Sequence, residues 1–456
     1  MRDLVFLGLL PLMLYPMAKR PFVALGMWVW TAMFFPNAWL YGIASGFRYN
    51  LIFTGITVIG YLALKNKPPF VFGRIAALIL LFLAWTTAST YMTIGDHDMA
   101  WEIWSRFFKV VLLFVFVVLI VEKKLHIDFI LWCLVLSVGF FGCLEALKFI
   151  LSGGGHMIAG FAGHVLGDRN ELSIAFIMML PLFVYLLQQY GPQSRLIKFG
   201  LLGVMALLVT AIIGTQSRGG FIALMGLGGY MFIKSDRKIL LLVIVVILAG
   251  VLSQLVTDQW SSRMDTIGEA GADASFMGRV VAWKLSFIMA MNHPLFGGGF
   301  KSLENFTVWP VLAQEFFSYP FFYTGDALPD TTYPHAAHSV YFQVMGEHGF
   351  AGLAIYLSFL VSAFLKVRQV AKRAKKHVET AWIASLATMI QLSLFAFCLG
   401  GAALSFAYFE LLYAFCGIIL VLDKRILPAD LARLAALPPA ADAAPVATTT
   451  PALARR

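Results

Sequence analysis

The sequence predicts an all-α fold, a polytopic transmembrane helical bundle of about twelve spans with one long, partly helical loop on its outer side. Three observations predict it. Hydrophobic residues make up 60% of the 456-residue chain and charged residues 13%, far from the balance of a soluble protein. Apolar runs recur at the ~20 residues that a helix needs to cross a bilayer. Lysines and arginines gather on every second connection between those runs, the mark of a multi-pass orientation.

In chain order, spans are expected near residues 4–18, 21–40, 49–64, 70–91, 105–121, 127–151, 171–190, 196–214, 217–233, 238–256, 338–365, 381–399 and 403–422. Lys19 and Arg20 leave the count at twelve or thirteen, since residues 4–40 read as two crossings, one bent span or a shallow hairpin. No segment before Met27 pairs a short apolar core with a small-residue cleavage site, so the first run is expected to stay as an anchor. Lys65 with Lys67, Lys123 with Lys124, Arg195 with Lys198, Lys234 with Arg237 and Lys238, residues 366–376, and Lys424 with Arg425 mark the cytoplasmic side. Residues 92–100, 152–170, 214–217, 257–337 and 399–402 then face out.

Four regions follow. A first set of membrane helices occupies 1–256, an outer loop with an amphipathic helix 257–337, a last set of helices 338–422, and a cytoplasmic tail 423–456. The tail turns to Ala, Pro and Thr without aromatic residues and is expected to be disordered. The net charge of +10 is explained by membrane insertion, and the outer loop carries more acids than bases, so no nucleic-acid partner is expected. Cys133, Cys143, Cys398 and Cys416 all sit in apolar runs, which argues against a disulfide framework or a zinc site.

Chemistry outside the bilayer belongs to the outer connections. Ser217-Arg218-Gly219-Gly220 and His335-Ala336-Ala337-His338 each open an inward-running span, and Asp168 and Glu171 stand at capping-box spacing around Arg169. Helix amino ends carry partial positive charge and free N–H donors, so three such ends with cations make a candidate anion pocket. The plainer reading of Arg169 or Arg218 alone is a lipid-headgroup anchor. A helix end with arginines nearby should keep the His338 imidazole neutral, the form that accepts a proton. His335 and His338, or Asp96-His97-Asp98, read alternatively as metal ligands, but each set lacks a full complement.

Residues 276–291 place Phe276, Val280, Trp283 and Phe287 at helical spacing with Arg279 to one side. This is either a helix lying on the membrane surface or a structural cover. The glycines of residues 293–300 lack the Lys-Ser/Thr ending of a nucleotide loop, and suit a tight turn or close backbone approach. Glu145 and Lys148 can pair across one helical turn, and Glu410 is a further intramembrane charge. No repeat at a fixed period is evident, which speaks against a repeat-built transporter.

Four segments resemble the O-antigen ligase and polymerase superfamily of polytopic, GT-C-like membrane glycosyltransferases. They are residues 215–220, Gly278-Arg279 with Trp283, Pro294 with residues 297–300, and His338 with Gln343, Glu347, Gly349 and Gly352. The likeness covers roughly residues 170–420, and the amino-terminal quarter is similar to ligases associated with exosortase systems. Where the family usually has Asn after the histidine, this chain has Ser339.

The resemblance implies a bacterial inner-membrane enzyme with a periplasmic active site and no cofactor. It would transfer a glycan from undecaprenyl diphosphate to a hydroxyl of lipid A-core, completing lipopolysaccharide. His338 would be the general base, and Arg218, Arg279 and Arg169 would hold the diphosphate without a metal. Glu347, His335 and Arg263 are the supporting candidates. An O-antigen polymerase or a protein O-glycosylation ligase shares these motifs. A lipid-linked glycan flippase is the reading from another class, and it would place its groups near the bilayer midplane.

Overall fold

The computed structural model describes residues 2–234, 274–321, 329–330 and 332–436, with 238–239, 242, 246 and 250 besides. Among the described residues the secondary structure is helical, with no strand. The helices are α1 (Arg2–Lys19), α2 (Pro21–Phe34), α3 (Gly42–Ser45), α4 (Tyr49–Leu62), α5 (Arg74–Tyr91), α6 (His97–Ile120), α7 (Lys124–Leu151) and α8 (Arg169–Tyr190). After them come α9 (Arg195–Gly214), α10 (Arg218–Lys234), α11 (Ala274–Asn292), α12 (Val308–Gln314), α13 (Val340–Ala374), α14 (Ala381–Gly400), α15 (Glu410–Val421) and α16 (Leu427–Ala435).

Seven of these are long and apolar enough to cross a membrane: α5 to α9, α13 and α14, the last counted to Ala403. Residues 21–34, 49–62 and 218–233 form shorter apolar helices. Apart from residues 238–239, 242, 246 and 250, the span expected at 238–256 lies outside the described residues, as do residues 257–273 of the outer loop with Arg263. At the start, α1 and α2 are separate helices that meet at Arg20, so residues 4–40 do not form one continuous helix.

Helix α8 is the centre of the bundle. It packs on α7, α9, α10 and α14, while α13 joins α14 to α5 and α6 packs on α15. Small residues set the closest crossings, as expected where lipid removes the hydrophobic drive between helices. A Cβ on Gly142 of α7 would lie 2.4 Å from Leu208 of α9, and one on Gly220 of α10 only 1.9 Å from the Ser173 hydroxyl of α8.

The two ends of the bundle differ in chemistry. At one end Asp423 is nearly buried and takes Arg373 at 3.0 Å and Lys366 at 3.5 Å, while Arg425 donates to the carbonyls of Val118, Val121 and Pro69. Asp128 nearby accepts from Lys124, Tyr185 and Tyr190. These are the residues that the alternation of basic connections assigns to one side. His338 precedes the amino end of α13, whose 35 residues run from there to the basic stretch at Lys366 and Arg373. Glu145 pairs with Lys148 at 2.6 Å, as their spacing predicts, and also takes His156 at 2.8 Å.

Two expectations need correction. The span expected from 403 begins as regular helix only at Glu410, because Gln343 and Glu347 of α13 hold residues 407–408 in a non-helical course. The tail expected to be disordered from 423 stays helical through α16, whose Leu427 is buried against the bundle; residues from 437 lie outside the described ones. Of the two readings of residues 276–291, the packing of α11 is that of a cover helix, buried on more than one face. Val280, Ala282, Lys284, Leu285, Ser286, Ile288 and Met289 are all buried around its circumference.

Helix α11 shares a small second core with α12, built on Leu285, Met289, Trp309, Leu312 and Phe316. This cap sits on α13 through Trp283, which stacks on Phe342 with ring centres 5.3 Å apart. Gly346 of α13 allows the approach, since its Cβ would lie 3.2 Å from Ser286.

Candidate active site

The site forms where the amino ends of α8, α10 and α13 meet. Asp168 caps α8 by accepting the Asn170 N–H at 2.7 Å, with Glu171 three residues on in the first turn. The Asp168 arm of the capping box read from the sequence is thus formed, shifted by one residue. Ser217 accepts the Gly220 N–H at 3.0 Å and donates to Asn170 Oδ1 at 2.7 Å, so the cap of α10 is tied to the first turn of α8. This tie brings Arg218 and Arg169, the first residues of their helices, to one place. Both are half-buried, and the Arg169 guanidinium lies 3.3 Å from the Met157 sulfur.

The turn at 401–405 completes the junction. A Cβ on Gly219 would lie 3.5 Å from the Ala403 methyl, and Ser405 Oγ accepts the His338 N–H at 2.8 Å. His338 is therefore fixed by its backbone and leaves its imidazole available. Its φ of +46° is left-handed, a conformation that costs a non-glycine residue energy. Gln216 (φ +51°) and Lys301 (φ +59°) share this feature, so three of the four such non-glycine residues described lie at this junction.

Electrostatics define the rest of the site. Burial, then the Arg279 charge, hold the His338 imidazole below its usual range; His335 adds to the lowering, and Asp168 and Glu304 oppose it. Arg279, Asp168 and Glu304 are therefore all within electrostatic reach of His338. At neutral pH the imidazole is unprotonated and able to accept a proton. We expect the acid limb of any His338-dependent rate to move to higher pH in Arg279→Gln, which removes a charge that disfavours imidazolium. It should move to lower pH in Asp168→Asn, which removes one that favours it. A pH–rate profile of each variant checks both signs.

Lys301 is the residue that sequence reading missed, having been seen only as one base of the outer loop. Its ammonium pairs with both Glu304 oxygens, at 2.7 and 2.9 Å, and its charge reaches Glu171 at the head of α8. Glu347 is not an open site residue. It is 5% exposed, accepts the Lys301 N–H at 3.1 Å and is hydrogen-bonded to the Tyr408 hydroxyl. His335 is exposed, edge-on to Trp309 at 5.7 Å, and stands at the rim. Asp96 is a helix cap, accepting the Met99 N–H at 2.7 Å.

The glycine-rich residues 293–300 make the close backbone approach that their composition suggests. Helix α13 breaks at Gly349 (φ +70°, ψ −177°), and the loop enters the break. The N–H groups of Gly298 and Gly299 donate to the carbonyls of Gly346 and Glu347 at 2.9 and 2.8 Å, and Phe350 N–H donates to Pro294 at 2.9 Å. Trp85 and Ser89 near the end of α5, with Thr93 just beyond it, donate to the carbonyls of Leu295, Phe296 and Gly298. The loop therefore splints the break in α13 and carries Lys301 to the site.

Two family models match the chain. Residues 203–357 match the one described as O-antigen ligase, and residues 1–191 match one described as a family of unknown function. No curated protein matches the chain. Arg218, Arg279, His338 and Glu347 fall inside the first of these segments, while Arg169 falls in the second. Residues 203–357 are thus an O-antigen ligase family domain, as the motifs around Arg218, Arg279 and His338 indicate, joined to an amino-terminal region of a family of unknown function.

Proposed function

We propose that the protein is an O-antigen ligase that transfers a glycan from undecaprenyl diphosphate to a hydroxyl of lipid A-core on the periplasmic side of the inner membrane. The observation that carries this reading is the joining of the α8 and α10 amino ends, which begin with Arg169 and Arg218, to the turn at 401–405 that holds His338, with the Arg279 charge acting on that half-buried imidazole. An imidazole nitrogen of His338 takes the proton of the acceptor hydroxyl as its oxygen attacks the anomeric carbon. The bond from that carbon to the diphosphate oxygen breaks, and its electron pair leaves on the diphosphate. Charge grows there through an oxocarbenium-like state, and the arginines stabilise it. One base facing the leaving group gives a single displacement with inversion.

The clustering of these groups at one end of the helices supports an enzyme over a flippase, which would bind near mid-membrane. The test is transfer by purified protein of a glycan from undecaprenyl diphosphate to lipid A-core or to a repeat-unit acceptor, with and without a chelator. We expect product on lipid A-core, inverted at the anomeric carbon and insensitive to chelation. Arg218→Ala should lose about 10²–10³ in rate, the usual cost of one preorganised donor to a developing anion. Product on the repeat unit alone would make the protein a polymerase, and loss on chelation would require a metal.

A further inference from the structure

Beneath the site, Glu347, Tyr408, His348 and Ser89 form a closed hydrogen-bonded chain. Glu347 and His348 are 5% and 0% exposed, Ser89 is fully buried, and the aromatic rings of Phe82 and Phe300 enclose the imidazole at 5.8 and 4.6 Å. Glu347 Oε2 meets the Tyr408 hydroxyl, the hydroxyl lies 2.9 Å from His348 Nε2, and His348 Nδ1 lies 2.9 Å from Ser89 Oγ. Ser89 Oγ in turn lies 2.6 Å from the Phe296 carbonyl and 2.9 Å from that of Glu347.

The short contacts set the directions. Ser89 Oγ lies 2.6 Å from the Phe296 carbonyl, which needs a hydrogen between the two oxygens, and a carbonyl only accepts, so the single Ser89 proton is donated there. Ser89 must then accept from His348, which places a proton on Nδ1. With Nε2 bare, Tyr408 donates to it and has no proton left for Glu347, so Glu347 must donate to Tyr408. The only other arrangement protonates both ring nitrogens and leaves Glu347 as a carboxylate, with Tyr408 donating to it. The two states hold the same number of protons. They differ by one proton leaving Glu347 for Tyr408 while the Tyr408 proton moves to His348. Separating two charges in an enclosed aromatic setting is costly, and the neutral arrangement avoids it.

We propose that Glu347 is a neutral carboxylic acid, the resident proton of a buried relay running through Tyr408 and His348 to Ser89, and that it positions Lys301 as a further cation for the diphosphate. The second half rests on the function proposed above; the first does not. Its Oε1 accepts the Lys301 N–H and holds that residue in its left-handed conformation beside Glu304. Glu347 is a positioning residue in this account, because it acts through Lys301.

Glutamine supplies the same acceptor to Lys301 and the same donor to Tyr408 as a protonated glutamate, so Glu347→Gln separates the two states. Infrared difference spectra of wild type against Glu347→Gln, in light and heavy water, should show a deuterium-sensitive carboxylic-acid carbonyl band that the variant lacks. Tyr408→Phe should shift that band by removing its acceptor. Binding of undecaprenyl diphosphate should be retained in Glu347→Gln and weakened about tenfold in Glu347→Ala and in Lys301→Ala. Absence of the acid band, or a Glu347→Gln variant that fails to fold or binds no better than Glu347→Ala, would overturn the relay. Undiminished binding by Lys301→Ala would overturn the role of Lys301. Wild type that binds no undecaprenyl diphosphate yet shows the band would instead count against the proposed function.

Discussion

Replacing His338 with glycine is expected to lower glycan transfer by about 10²–10⁴-fold, the usual contribution of a positioned general base, while leaving the fold as stable as wild type. The two effects separate because of the backbone. His338 sits at φ +46°, where a side chain is strained and glycine is not. Relief of that strain offsets the greater entropy that glycine loses on folding, so thermal stability should change by less than about 1 kcal/mol. Added imidazole should restore part of the rate in the vacated space. Single-turnover transfer with and without imidazole, alongside melting in detergent, measures both. A rate that survives the substitution would show that another group takes the hydroxyl proton.

The largest loss of stability is expected from Gly349→Ala. Gly349 holds φ +70° and ψ −177°, a region that is essentially closed to residues with a Cβ. A methyl there would lie 2.6 Å from the carbonyl oxygens of both Leu295 and Pro294. The backbone must shift, and with it the three hydrogen bonds by which residues 294–299 splint the broken helix. Together these cost about 3–5 kcal/mol. Gly153→Ala is the control. Its φ is also left-handed, at +60°, but nothing lies within 4 Å of the added Cβ, so about 1 kcal/mol is expected. Because the splint carries Lys301, Gly349→Ala should also weaken diphosphate binding in whatever fraction remains folded.

Much of this architecture is legible in the sequence because the bilayer imposes a length and a composition on each crossing. Helices α5 to α9, α13 and α14 announce themselves in this way, and the pairing of Glu145 with Lys148 follows from helical spacing alone. The three helix amino ends at the site were also visible, since caps and cations stand beside one another in the chain. What was not visible depends on contacts between distant segments. The course of residues 404–409 is set by Gln343, Glu347 and the turn at Ser405, not by its own apolar composition. Lys301 owes its place to the break at Gly349, about fifty residues later. Ser89, His348 and Tyr408 meet across more than two hundred and fifty positions of sequence, where no spacing rule applies.

The stack of Trp283 on Phe342 fastens the cap to the helix whose amino end holds His338, and Arg279 lies one helical turn before that tryptophan. The proposed leaving-group cation and the proposed base are thereby mounted on a single hinge plate. A small aromatic compound wedged between those two rings would swing the guanidinium away from the imidazole. Such a compound would block the reaction without resembling either sugar or lipid, and the substrate's own pocket would stay untouched.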